Sequence, residues 1–241
     1  MPTPRIHVPG PLAPGTEIDL PEGAVRHLGR VLRLRPGAAV ILFDGRGGEY
    51  PATLTALDKR AGAARVEAFD EVERESPLAL ELVQGVAKGE RMDFAIQKAV
   101  ELGAARIVPV LTERGVVKLD AERAASRQRH WEGVIASACE QSGRNRLPEL
   151  APIRPLREWL AEPRTGAVLD PEGGAGIGEL ARPAGPFALL VGPEGGLTED
   201  EIAAAARSGL ARLRLGPRVL RTETAPLAAL AALQTVWGDL G

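Results

Sequence analysis

The chain has 241 residues, 30 Lys+Arg against 32 Asp+Glu for a formal net charge of −2, and only 3% aromatic residues. A near-neutral balance argues against a general nucleic-acid binder, and the scarcity of aromatics argues against stacking platforms for single strands. One cysteine, Cys139, excludes an internal disulfide and a cysteine-based zinc cage, and His7, His27 and His130 lack metal-ligand spacing. No apolar run approaches the roughly 18 residues of a membrane span, and the start, Met1-Pro-Thr-Pro-Arg-Ile6, lacks the pattern of a signal peptide. The expectation is a soluble, cytoplasmic protein with no metal and no membrane partner.

In chain order, Arg5–Val8 and Ala39–Phe43 read as strands, Asp44–Gly48 as a hairpin turn and Glu49–Leu57 as the returning strand. Ala64–Phe69 alternates and pairs with it, and Pro51 points to an edge strand or a bulge. Pro21–Arg33 reads as a helix with Val25, Leu28, Val31 and Leu32 on one face. The charge-rich stretch Asp70–Pro77 reads as a linker. Beyond it strands and helices alternate, the pattern of an α/β layer fold. Leu78–Val86, Arg106–Leu111, Ala167–Asp170, Phe187–Val191 and Ala211–Leu215 are the strands. Met92–Leu102, Asp120–Ser142, a short helix opened by the capping box Thr198-Glu-Asp-Glu201, and Ala225–Trp237 are the helices.

Two constellations carry chemistry. Leu190-Val-Gly-Pro-Glu-Gly-Gly-Leu197 follows a buried strand and precedes a capped helix, so its glycines let backbone amides approach a ligand. It has neither dinucleotide-binding spacing nor a Walker lysine, which disfavours ordinary Rossmann and P-loop chemistry. Leu215-Gly-Pro-Arg-Val-Leu-Arg-Thr-Glu-Thr-Ala225 again runs from a strand into a helix. Thr222 or Thr224 reads as the helix cap, but Arg218 and Arg221 oppose the helix dipole, which a negatively charged ligand or RNA would explain.

Together these two stretches resemble the signature of SPOUT methyltransferases, and more narrowly of the RsmE-type enzymes that methylate N3 of uracil 1498 in 16S ribosomal RNA. Lys88-Gly-Glu-Arg-Met-Asp-Phe94, Lys98-Ala-Val-Glu-Leu-Gly103 and Ala138-Cys-Glu-Gln-Ser-Gly-Arg144 fit the same group, as does Arg26-His-Leu-Gly-Arg-Val-Leu-Arg33. The resemblance covers nearly the whole chain. It implies a PUA-like RNA-binding β-barrel over residues 1–72 and a SPOUT α/β domain over 73–241. The latter would hold S-adenosylmethionine in a C-terminal trefoil knot, in a homodimer acting on 16S ribosomal RNA or the small subunit. Carried over by motif, the cofactor pocket would use Leu169, Gly192, Gly196, Leu215, Gly216, Leu220, Arg221, Thr222 and Thr224.

Uridine N3 carries a weakly acidic proton, so Arg221 is the candidate for stabilising the negative charge left on the base, and Glu223 is a candidate proton acceptor or a structural group. Arg26, Arg30, Arg33 and Arg35 lie between Glu22 and Asp44 with no acidic residue, and Arg207, Arg212, Arg214, Arg218 and Arg221 lie likewise between Glu201 and Glu223. A solvated face explains one such window; two flanking the candidate site favour phosphate contacts. Arg144, Lys88 and Arg91 are further RNA candidates. Cys139 reads as a small buried hydrophobe. Two alternatives remain open at this stage: the same fold with another acceptor, such as a ribose 2′-hydroxyl, and a non-catalytic RNA-binding protein.

Overall fold

The structure, a computed structural model, describes residues 3–115 and 120–241. The chain forms two compact units: Met1–Glu75 with Cys139–Leu147, and Ser76–Ala138 with Pro148–Gly241.

The first unit is built on strands β1 (Arg5–His7), β2 (Glu17–Asp19), β3 (Ala39–Phe43), β4 (Tyr50–Leu57) and β5 (Gly62–Val66), with helix α1 (Glu22–Arg26) between β2 and β3. They form one sheet in the order β1-β3-β4-β5-β2, parallel between β1 and β3 and antiparallel elsewhere. Alternation buries Val40 and Leu42, Ala52 and Leu54, and Ala64 and Val66 on one face, where Ile6, Val25 and Leu28 close the core.

Three local expectations change here. Pro51 lies on β4, in the middle of the sheet, and the bulge falls between Leu54 and Ala56. Proline is tolerated because the Pro51 carbonyl accepts from the Glu67 amide at 2.9 Å, just past the end of β5, so its missing N–H costs only a terminal rung. The strand expected over Ala64–Phe69 runs instead over Gly62–Val66, and Phe69 leaves it to pack on Tyr50 with ring centroids 5.0 Å apart. After α1 the chain widens into a π-turn, His27–Val31, with the Leu32 amide bonded to the His27 carbonyl at 3.0 Å. The extra residue in the turn rotates Val31 off the apolar face, leaving it 66% exposed while Leu28 is fully buried.

The stretch expected as a linker is a set of specific ion pairs. Glu49 receives Arg5 and, at 3.0 Å, Arg74; Arg146 pairs with Glu73 at 3.3 Å; and Arg144 Nε donates to Glu75 at 3.0 Å. Arg5 also donates to Asn145, whose amide nitrogen donates to the Val72 carbonyl at 2.6 Å. Residues 139–147, which lie within the stretch 73–241 in sequence, are thereby fastened into the first unit. Cys139 is fully buried, and burial above all pushes its thiol up to about 12, so it is an inert packing group.

The second unit is a parallel sheet. Its strands are β6 (Leu80–Gly85), β7 (Ala104–Leu111), β8 (Glu149–Leu150), β9 (Arg154–Pro155), β10 (Gly166–Leu169), β11 (Phe187–Val191) and β12 (Leu210–Leu213). The order is β12-β10-β11-β6-β7-β8, with β9 also pairing β7. Every pairing is parallel, and β11, Phe-Ala-Leu-Leu-Val, is buried throughout, as expected for a strand covered on both faces. The helices are α2 (Glu90–Glu101), α3 (Ala121–Ser142), α4 (Leu156–Trp159), α5 (Glu199–Arg207) and α6 (Thr224–Trp237). α2 buries Met92, Ala95, Ile96, Ala99 and Val100, a helical stripe. Trp131 of α3 is buried with its Nε1 donating to Asp93 at 3.1 Å. The capping box at Thr198 forms as expected, with Thr198 and Glu201 bonding each other's backbone amides at 3.2 and 2.9 Å. Short β2, β8, β9 and α4 had no signal in the sequence pattern. No helix among the described residues is long and apolar enough to cross a membrane.

Glu49 is the keystone of the first unit's ion pairs. Burial pushes its carboxyl up, but Arg5 and Arg74 outweigh this and hold it below its ordinary 4.5. Its contribution to stability is therefore present above that value and lost as pH falls through the lower folded one. Glu49→Ala, which leaves Arg5 and Arg74 facing each other, is expected to cost about 3 kcal/mol in urea unfolding at pH 7. It should also flatten the acid limb of the stability–pH profile.

Candidate functional site

The second unit contains a cavity of about 1170 Å³. Its walls are the segments leaving three adjacent parallel strands: Leu169–Glu172 after β10, Gly192–Leu197 after β11, and Leu215–Glu223 after β12. Arg91 of α2, Arg114 after β7, and Ile202 and Ala206 of α5 complete it. Parallel strands deliver their carboxyl ends to one edge of the sheet, and ligands of open α/β sheets bind there.

Each wall is fixed by its own local chemistry. Asp170, 2% exposed, turns the chain after β10 by accepting from the Glu172 amide at 2.9 Å, and it holds Arg212 Nε at 2.6 Å. The glycine-rich loop closes with a bond from the Gly196 amide to the Pro193 carbonyl at 2.8 Å, with Gly196 at φ 71°, where a side chain would be strained. Gly85, at the end of β6, allows the loop to fold close: a Cβ there would stand 2.6 Å from the Pro193 nitrogen.

The third wall corrects the expected cap. Glu223 is the residue preceding α6 and its side chain makes no capping bond. Thr222 does not cap either, because its hydroxyl donates to the Gly192 carbonyl at 2.7 Å and so ties the two loops together. Thr224 is the exposed first residue of α6 and does not line the cavity.

Arg91 joins the same two loops from outside, donating to Glu194 at 2.9 Å and approaching Glu223 at 3.8 Å. Burial pushes the Glu194 carboxyl up, but the Lys88 amide, donating at 3.0 Å, and Arg91 hold it below its ordinary range. Glu223 Oε2 is buried without a hydrogen-bond partner among the described residues, and it faces Arg91 Nε at 3.8 Å. Arg218 and Arg221 line the cavity and have no carboxylate partner among the described residues.

The structure thus brings together Leu169, Gly192, Gly196, Leu215, Gly216, Arg218, Leu220, Arg221, Thr222 and Glu223 around one cavity, with Arg91. Lys88 is exposed outside the lining, and Arg26, Arg30 and Arg33 are exposed in the first unit. Arg144 departs from its expected RNA role: it is 4% exposed and paired to Glu75, so it presents no surface to phosphate. Asp170, Arg114 and the buried Gln84 were not anticipated, and Arg212, expected among the phosphate contacts, is held by Asp170. Asp170 directly follows an apolar strand, and Gln84 is a polar residue next to the apolar pair Leu82-Val83, which are the signals that could have found them. No cluster of metal-ligating side chains occurs among the described residues.

A parallel sheet with one cavity at its strand exits, paired with a separate small β unit, is an α/β ligand-binding architecture. Residues 74–234 match the RNA methyltransferase domain family, and residues 20–67 match the RNA methyltransferase PUA domain. The ribosomal RNA small subunit methyltransferase E of Bacillus subtilis is 33% identical over 87% of this chain and 86% of its own. The solved structure of that enzyme from Neisseria gonorrhoeae, bound to S-adenosyl methionine, superposes with TM-score 0.91 at 45% identity, covering 99% of this chain and all (100%) of its own. A Legionella pneumophila protein solved with the bound cofactor SAM gives TM-score 0.94 at 40% identity over 100% of both chains. The chain belongs to the SPOUT-class RNA methyltransferases, in the ribosomal RNA small subunit methyltransferase E family.

Proposed function

We propose that this protein transfers a methyl group from S-adenosylmethionine to N3 of a uridine, uracil 1498, in the 16S RNA of the small ribosomal subunit. The observation that carries the reading is the cavity at the strand exits. Its glycine turns expose backbone donors and acceptors, its leucines offer apolar faces, and two relatives of the same fold are solved with this cofactor. At about 1170 Å³ it exceeds the roughly 300–1000 Å³ of ordinary small-molecule sites, so a cofactor and a presented base fit together.

Leu169, Leu215 and Leu220 would pack the cofactor, and the backbone at Gly192, Gly196 and Gly216 would read its polar edge, with Thr222 at the junction and Thr224 close behind. When bound, the cofactor supplies an electrophilic sulfonium methyl, whose transfer depends chiefly on in-line alignment and exclusion of water. Arg221, in the cavity wall with no carboxylate partner among the described residues, stabilises the negative charge that the base oxygens gain when N3 loses its proton. The Glu223 carboxylate, which lines the same cavity, is the acceptor for that proton.

Residues 1–72 are read as a PUA-like RNA-binding domain and 73–241 as the methyltransferase domain with a trefoil knot. The order β12-β10-β11, in which the chain crosses back past β10 between β11 and β12, is compatible with the knotted path. Arg26, Arg30 and Arg33 in the first unit and Lys88, Arg91 and Arg218 in the second are the proposed RNA contacts. A cytoplasmic homodimer completes the reading, and exposed Phe94, Val236 and Leu240 suit a protein partner.

Labelled-methyl transfer to undermethylated small subunits, followed by nucleoside analysis, is expected to yield 3-methyluridine; 2′-O-methylribose would contradict the acceptor. In the same assay Arg221→Ala should lower turnover about 100-fold, and full turnover would remove Arg221 from the charge-stabilising role. Arg30→Ala combined with Arg33→Ala should weaken RNA binding and reduce the slope of log affinity against log salt by up to about 1.5, with cofactor affinity intact. An unchanged slope would make both arginines a solvated face.

A further inference from the structure

Gln84 is a fully buried polar residue of strand β6, beside the buried apolar Leu80, Leu82 and Val83 and paired with Val191 of β11 at the point where the glycine-rich loop begins. Its side-chain nitrogen faces three acceptors: the Gly85 carbonyl at 3.1 Å, the Gly192 carbonyl at 3.4 Å and the Thr222 hydroxyl oxygen at 3.2 Å. The two carbonyls can only accept, so the amide's nitrogen must point this way. The Thr222 hydroxyl, accepting from Gln84, is left with its own proton directed at the Gly192 carbonyl, 2.7 Å away. Gln84 therefore donates to both partners of the hydrogen bond that ties the Gly192 loop to the Thr222 loop.

The other end of the amide supports the same conclusion. Gln84 Oε1 is buried with no hydrogen-bond partner among the described residues. Leaving a buried carbonyl unpaired is costly, and an apolar side chain of this size would fill the same space without that cost. What the amide offers at this position is the donor end, aimed at two of the three walls of the cavity.

We infer that Gln84 is a positioning residue for the cofactor: acting through Thr222, it holds the Gly192 and Thr222 loops at the separation that admits S-adenosylmethionine. This rests on the cavity being the site of that cofactor. Gln84 does not line the cavity, so its effect is on the walls and not by contact with the ligand.

The test is calorimetric titration of S-adenosylmethionine into the full chain and its Gln84→Met, Gln84→Glu, Thr222→Val and Thr222→Ser variants and the Gln84→Met/Thr222→Val double, with thermal unfolding of each. Gln84→Met keeps the length and removes the donor; Gln84→Glu keeps the shape and substitutes an acceptor, which covers the case in which one of them fails to fold. Each Gln84 variant and Thr222→Val is expected to raise the dissociation constant about tenfold. The double variant should be no weaker than the poorer single one, because both substitutions break the same linkage. Thr222→Ser, which keeps the hydroxyl, should bind within about threefold of the unmodified chain, on the same scale. Affinity unchanged in the folded Gln84 variants, effects that multiply in the double, or a Thr222→Ser as weak as Thr222→Val would overturn the inference. An unmodified chain with no affinity for the cofactor would instead overturn the functional reading, and the positioning role with it.

Discussion

The parallel register of four strands is the constraint on which the site depends. Val168 of β10 stands opposite Leu190 of β11 and Arg212 of β12, and Val191 stands opposite Gln84 of β6. Because all four run in the same direction, their exits reach one edge together, although they lie far apart in sequence. The cavity is a consequence of that arrangement, and the glycines, Asp170 and Thr222 refine it. A substitution that unsettled the register would disperse the whole site, whereas one in a single loop would alter only one wall.

The charge distribution follows the same division between scaffold and site. The net charge of −2 averages arginines with opposite duties. Arg5, Arg144 and Arg212 are held by Glu49, Glu75 and Asp170. Arg218 and Arg221 in the second unit have no carboxylate partner among the described residues. A site for an anionic polymer is compatible with a slightly acidic chain when acids are engaged elsewhere, as Glu49, Glu73 and Glu75 are by arginines in the first unit.

Much of this was readable from sequence because it is encoded locally. Apolar runs such as Phe187–Val191 announce buried strands, Thr198 and Glu201 announce a helix start, and the glycine loop after β11 announces a ligand-facing turn. What escaped is what depends on distant partners. Nothing near Arg144 in sequence says that Glu75 will cover it, and nothing near Thr222 says that the Gly192 carbonyl will take its hydroxyl from the helix cap. Pro51 was misplaced for the same reason: proline is excluded from a central strand only if its missing N–H faces a continuing neighbour, and here β5 has just ended. The attachment of Cys139–Leu147 to the first unit rests on bonds to two distant stretches, Arg5 and His7 near the start and Glu75, beyond any local pattern.

The strand-exit cavity is proposed as the S-adenosylmethionine site, and amide hydrogen exchange of the full chain with and without the cofactor is the decisive measurement. Added protection is expected at residues 169–172, 191–197 and 213–224, the three segments at the strand exits. Binding whose protection falls outside those three segments would contradict it.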